Sequence, residues 1–155
     1  MKRLILAVVL AAFLAAAPAD PVAWKLTPPA TPVRAGARFT AKLLAAVQDG
    51  WHMYSLKPMA EGPVPTRIWI ANGQPFALAG GVQAPDPQTM QDPSFGMEVE
   101  LYEGEVEFTL PVRVAAGAAP GAQKLVVTAS YQSCNNKLCL PPKTVKVEVL
   151  VTVGK

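Results

Sequence analysis

Glu105-Val106-Glu107-Phe108-Thr109-Leu110-Pro111-Val112-Arg113-Val114 places Val106, Phe108, Leu110, Val112 and Val114 on one face of an extended chain. Glu105, Glu107, Thr109 and Arg113 take the other face. Successive side chains of a strand point to opposite sides, so this stretch buries one face and wets the other. The same period of two runs outward in both directions. From Val145 to Val153 every odd position is Val, with Lys146, Glu148 and Thr152 opposite. Phe39, Ala41, Leu43, Ala45 and Val47 alternate with Arg38, Thr40 and Lys42, and Leu125, Val127, Ala129 and Tyr131 with Val126, Thr128, Ser130 and Gln132. Shorter strands are predicted near Val22–Leu26, Trp51–Leu56, Arg67–Ala71, Phe76–Ala79 and Met97–Tyr102.

Turn dipeptides separate these runs, among them Asp49-Gly50, Asn72-Gly73, Glu103-Gly104, Pro120-Gly121 and Pro141-Pro142. The 16 Pro and 11 Gly in 155 residues interrupt the chain too often for long helices. Eight or nine short strands at this spacing predict an all-β fold, an immunoglobulin-like antiparallel β-sandwich, with a closed barrel as the alternative. One stretch breaks the pattern. Ala84–Gly96, APDPQTMQDPSFG, holds three prolines and no alternation, and is predicted to be a long ordered loop. Loops of that length are commonly functional, and this one carries Phe95.

The N-terminus has a different character. Lys2 and Arg3 precede an apolar run from Leu4 to Ala16, and Ala17-Pro18-Ala19 supplies small residues for cleavage. These are the parts of a secretory signal peptide, predicted over residues 1–19 and leaving a domain over 20–155. An apolar run of 13 residues is short of the roughly 20 that a spanning helix needs. An uncleaved N-terminal anchor is the alternative; after cleavage the domain is expected to be soluble and monomeric. Removing Lys2 and Arg3 from the 14 basic residues leaves 12 against 11 acidic ones, without a basic cluster. A nucleic-acid partner is therefore not expected.

The only two cysteines, Cys134 and Cys139, enclose Asn135-Asn136-Lys137-Leu138 between two predicted strands. In an exported chain such a pair is expected to form a disulfide across a hairpin end. It could be a structural staple, although closing a six-residue loop removes only roughly 2 kcal/mol of unfolded-state entropy. It could equally be an exchange site, since a pair at a turn is accessible to an attacking thiolate. Lys137 could stabilise a thiolate or simply be solvated. His52, beside Trp51 and Tyr54, could act as a base or be a packed residue. Met53, Met59, Met90 and Met97 are soft ligands that could suit Cu(I), but equally ordinary core fillers, and no cofactor or metal is expected. A single His with two Cys excludes a multi-ligand zinc site.

Tyr131-Gln132-Ser133-Cys134-Asn135-Asn136-Lys137-Leu138-Cys139-Leu140-Pro141-Pro142 closely resembles the cysteine motif of the N-terminal periplasmic domain of the thiol:disulfide interchange protein DsbD. Gly50-Trp51-His52-Met53-Tyr54-Ser55 resembles that family's glycine–aromatic–Tyr strand, and Asp92-Pro93-Ser94-Phe95-Gly96-Met97-Glu98 its cap loop, in the same order along the chain. The resemblance implies an immunoglobulin-like periplasmic domain with a redox-active disulfide, in pathways such as cytochrome c maturation. It implies thioredoxin-like proteins and a DsbD/CcdA-type membrane electron donor as partners, with donors expected to be separate proteins. By the same resemblance Cys139 forms mixed disulfides and Cys134 resolves them. Phe95, with Ser94 and Asp92, would belong to the shielding cap, and Tyr54, Trp51 and Tyr131 to the aromatics near the site. Four residues separate the cysteines here, one fewer than in the best-known member, and Phe95 stands one place beyond the family's cap Phe. The rival expectation is a non-catalytic immunoglobulin-like binding or adhesion module with a structural disulfide.

Overall fold

A computed structural model describes residues 19–154. The leader expected over residues 1–19 therefore lies outside the described residues, Ala19 excepted. Twelve strands follow in chain order: β1 (Val22–Thr27), β2 (Val33–Arg34), β3 (Arg38–Val47), β4 (His52–Tyr54), β5 (Arg67–Trp69) and β6 (Phe76–Leu78), then β7 (Gln88–Asp92), β8 (Met97–Tyr102), β9 (Glu105–Val114), β10 (Gly121–Tyr131), β11 (Ser133–Cys134) and β12 (Lys143–Gly154). No helix occurs among the described residues.

The strands form three four-stranded sheets, ordered β1-β3-β9-β6, β2-β12-β10-β5 and β11-β4-β8-β7. The first two face each other as the immunoglobulin-like sandwich. Their inward residues follow the sequence alternation: Ala41, Leu43, Ala45 and Val47 from β3, Phe108, Leu110, Val112 and Val114 from β9, and Leu125, Val127, Ala129 and Tyr131 from β10 all join one core. Burying each larger side chain of this set contributes roughly 1.5–3 kcal/mol. Lys42–Glu107 at 2.8 Å and Lys124–Glu148 at 3.2 Å pair across strands on the wet faces. Exposed pairs of this kind each add under about 1 kcal/mol.

Pro111 sits inside the central strand β9, where a proline removes a ladder bond. Its carbonyl accepts the N–H of Ala79 at 2.8 Å. The N–H that would return the bond to Ala79 is missing, and β6 ends one residue earlier, at Leu78. The chain leaves the sheet through Gly80 and Gly81 before rejoining at Gln83, opposite Thr109. The proline thus terminates its neighbour rather than its own strand.

The stretch Ala84–Gly96 corrects the sequence expectation. It is not loop throughout, because Gln88–Asp92 is β7, paired antiparallel with β8 from Gln88↔Leu101 to Asp92↔Met97. The loop proper is the hairpin tip Pro93-Ser94-Phe95-Gly96, closed by Gly96 N–H to the Asp92 carbonyl at 2.7 Å. Gly96 takes φ +65° there, a left-handed backbone that glycine adopts without strain. Alternation is hidden because β7 is an edge strand whose one buried position is the charged Asp92.

Candidate active site

The third sheet carries the cysteines. After β10 the chain passes directly into β11, which pairs antiparallel with β4, Ser133 opposite Met53 and Cys134 opposite His52. Beyond Cys134 the chain reverses. Asn135 N–H bonds the Leu138 carbonyl at 2.9 Å and Leu140 N–H the Ser133 carbonyl at 2.8 Å. The Asn135 side-chain Oδ1 accepts the N–H groups of Lys137 and Leu138, each at 2.9 Å, which ties down the turn. Cys134 and Cys139 are therefore the non-hydrogen-bonded pair between two bonded ones, the position where facing Cα atoms approach most closely. Their Cα atoms are 4.0 Å apart and their sulfurs are bonded.

The two sulfurs do not share one environment. Cys134 is fully buried, whereas Cys139 is partly exposed. Around them lies a second, smaller apolar cluster of Tyr54, Val99, Leu101 and Cys134, with Met59, Met90, Met97 and Cys139 packed against it. β4 separates this cluster from the main core: Met53 points into the sandwich, and Tyr54 into the sulfur cluster.

Beside the cluster lies a buried polar group of three. Tyr54 Oη donates to Asp92 Oδ2 at 2.6 Å. His52 Nε2 lies 3.3 Å from Tyr54 Oη and 3.4 Å from Asp92 Oδ2. The Asp92 Oδ1 also accepts the N–H of Ser94 at 2.7 Å. Burial alone pushes the Asp92 carboxyl up, but the Tyr54 hydroxyl, the Ser94 N–H and the neighbouring His52 outweigh it. The net effect holds Asp92 below the usual carboxylate range. Burial first, and the bond to Asp92 second, push the Tyr54 phenol well above its ordinary value. Asp92 is thus an anion at neutral pH and Tyr54 a neutral donor. Phe95 meets the Tyr54 ring edge-on, centroids 6.1 Å apart, and remains 37% exposed.

Of the residues singled out from the sequence, Cys134, Cys139, Tyr54, Asp92, Ser94 and Phe95 therefore come together at one end of this sheet. Trp51 packs against the main core. Tyr131 also turns its ring into that core, against Trp24 at 5.1 Å, and bonds Asp20. Its outer side still borders the cysteine hairpin, because Tyr131, Ser133, Leu140, Pro141, Pro142, Asp20 and Lys143 line one apolar groove of about 330 Å³. The methionines divide: Met53 belongs to the main core, and Met59, Met90 and Met97 to the sulfur cluster. Lys137 is exposed on the turn. Sequence reasoning left His52 open between base and packed residue. Its place opposite Cys134 is a matter of strand register across some eighty residues, for which the sequence carries no local signal.

A family model described as "Thiol:disulfide interchange protein DsbD, N-terminal" matches residues 23–151. The chain belongs to that family. It is a thiol–disulfide exchange module whose disulfide is Cys134–Cys139. Among solved structures, the N-terminal domain of DsbD from Neisseria meningitidis, in its reduced form, is 18% identical with a TM-score of 0.52, over 76% of this chain and 82% of that one. The N-terminal periplasmic domain of ScsB from Proteus mirabilis is 16% identical with a TM-score of 0.57, over 84% of this chain. This chain spans only 47% of that one. At these identities the two structures establish the shared fold. No curated protein matches the chain.

Proposed function

We propose that this domain works in the periplasm, after removal of residues 1–19, relaying reducing equivalents from a thioredoxin-like or DsbD/CcdA-type membrane donor to periplasmic protein acceptors. The observation that carries this reading is the asymmetry of the disulfide: Cys134 is sealed in a small cluster of its own, whereas Cys139 is partly exposed on a tight turn. A donor thiolate attacks Cys139, and Cys134 leaves as a thiolate. Cys134 keeps its two electrons, and a second donor thiol, or the same donor's resolving cysteine, takes the donor sulfur off Cys139. In the reverse direction the Cys139 thiolate attacks an acceptor disulfide, and Cys134 closes the ring by displacing the acceptor thiolate. The domain acts as a monomer and needs no cofactor for this chemistry.

The deciding measurement is the midpoint potential of Cys134–Cys139 in a thiol–disulfide buffer. A value above about −300 mV is expected, because structural bridges in exported proteins fall below it. A lower value would return the domain to the adhesion-module reading.

Phe95, with Ser94 and Asp92 holding the turn beneath it, is proposed as the lid over the site. Its ring rests on Tyr54, itself packed in the sulfur cluster, so a docking partner can displace it at small cost. Phe95→Ala is expected to speed reduction by dithiothreitol roughly tenfold, through the access that governs exchange rates. The reaction with a protein partner should change less. An unaltered dithiothreitol rate in the folded variant removes the lid.

A further inference from the structure

We infer that His52 is the base that takes the proton of Cys134 when that cysteine resolves a mixed disulfide. The inference rests on the exchange reading above and adds to it the group that makes the buried sulfur reactive.

Cys134 is buried in an apolar cluster, and burial disfavours the thiolate that exchange requires. Left to itself, the resolving cysteine would stay a thiol. His52 is the register partner of Cys134 across the β4–β11 pair. Directly opposed residues of an antiparallel pair project to the same face with Cβ atoms roughly 4.5–5.5 Å apart. The ring is itself buried, 3% exposed, so it is held at that face rather than free in water.

The hydrogen bonds assign its proton. Tyr54 spends its own hydroxyl proton on Asp92 at 2.6 Å, so the Tyr54 oxygen can only accept from His52 Nε2, 3.3 Å away. Asp92 Oδ2, 3.4 Å from the same nitrogen, also wants a donor there. Nε2 therefore carries the hydrogen, and Nδ1 is left with a lone pair. A partner that fixes one imidazole nitrogen as a donor makes the other the base. The groups that meet His52 are Tyr54 from its own strand and Asp92 from β7, and its register partner on β11 is Cys134. β8 turns Val99 and Leu101 to this cluster, while its Glu100 is bonded to Lys57. Asp92 is thus the anion that stabilises His52 once it is protonated.

The step balances. The Cys134 Sγ–H proton passes to His52, and a Cys134–Cys139 bond forms as the bond from Cys139 to the acceptor sulfur breaks. The acceptor leaves with that electron pair and takes up a proton. The protein dithiol is oxidised by two electrons and the acceptor disulfide is reduced.

The test uses the reduced domain and an oxidised peptide disulfide, with mixed-disulfide formation and resolution timed separately by acid quench from pH 5 to 10. In the wild type, resolution should level off below the ordinary thiol range. In His52→Gln it should be slower by about 100-fold at pH 7 and keep rising with pH beyond about 8.5, as an unassisted thiol would. Asp92→Asn removes the anion that favours protonated His52, so it should move the wild-type limb to lower pH by a smaller amount, and it decides the matter if His52→Gln does not fold. Superimposable resolution profiles in wild type and variant overturn the role of His52. Failure of the wild type to form any mixed disulfide overturns instead the exchange reading beneath it.

Discussion

Cys134→Ala is expected to accumulate as a covalent complex with an oxidised thioredoxin-like partner, visible as a shifted band on a non-reducing gel. Cys139→Ala should give roughly tenfold less, since access to the sulfur limits exchange. The expectation joins the family correspondence to the burial of the two sulfurs. In the first variant the surviving thiol is on the exposed side of the turn and the resolving sulfur is gone, so the mixed disulfide has no intramolecular exit. In the second the surviving thiol is the one with no exposed surface, beneath Tyr54 and Leu101. Equal trapping by both variants would leave the disulfide redox-active but abolish the division of labour between its cysteines.

Phe108→Ala is expected to lower the unfolding free energy by about 3–5 kcal/mol, read as a shift of the urea midpoint at unchanged slope. Phe108 is fully buried in β9, opposite Leu43 of β3. Its ring meets Trp24 at 6.1 Å, nearly stacked, and Tyr102 edge-on at 5.9 Å. Truncation removes both contacts and opens a cavity between stiff strands that cannot close over it. Leu150→Ala is the control, because Leu150 is 61% exposed and its loss should stay within about 0.5 kcal/mol. A loss below 1 kcal/mol at Phe108 would mean that the sandwich core is not packed around this ring.

What could be read in advance follows from how each element is buried. β3, β9, β10 and β12 have one face toward the sandwich, so their alternation is written along ten to twelve residues and survives as a pattern. β2 and β11 are two residues long and carry no period at all. β7 lies at a sheet edge with polar residues at most positions, so its pairing with β8 is a tertiary fact. The cysteine pair and its turn were legible because both sulfurs fall within one hairpin. The polar group beside them was not: Asp92 is forty residues from His52 in the chain and forty-two from Cys134, and only the stacking of β11, β4, β8 and β7 brings the three together. Asp92 and Tyr54 entered the sequence expectation through family resemblance, while their hydrogen bond and the orientation it gives His52 emerged from the fold.

β4 is only three residues long, yet all three are buried, and its alternate side chains face two separate apolar bodies. A party wall of this kind has a consequence for how the protein can change over generations. Substitutions around the sulfurs and substitutions around Phe108 fall in different rooms, and where they share no neighbour their free-energy effects should add. Selection can then retune the chemistry at Cys134 and Cys139 without renegotiating the sandwich. The wall itself is the exception: a change at Met53 or Tyr54, or at Leu101 or Tyr102 of the adjoining β8, is felt on one side directly and on the other through the shared backbone, so these positions should drift slowly.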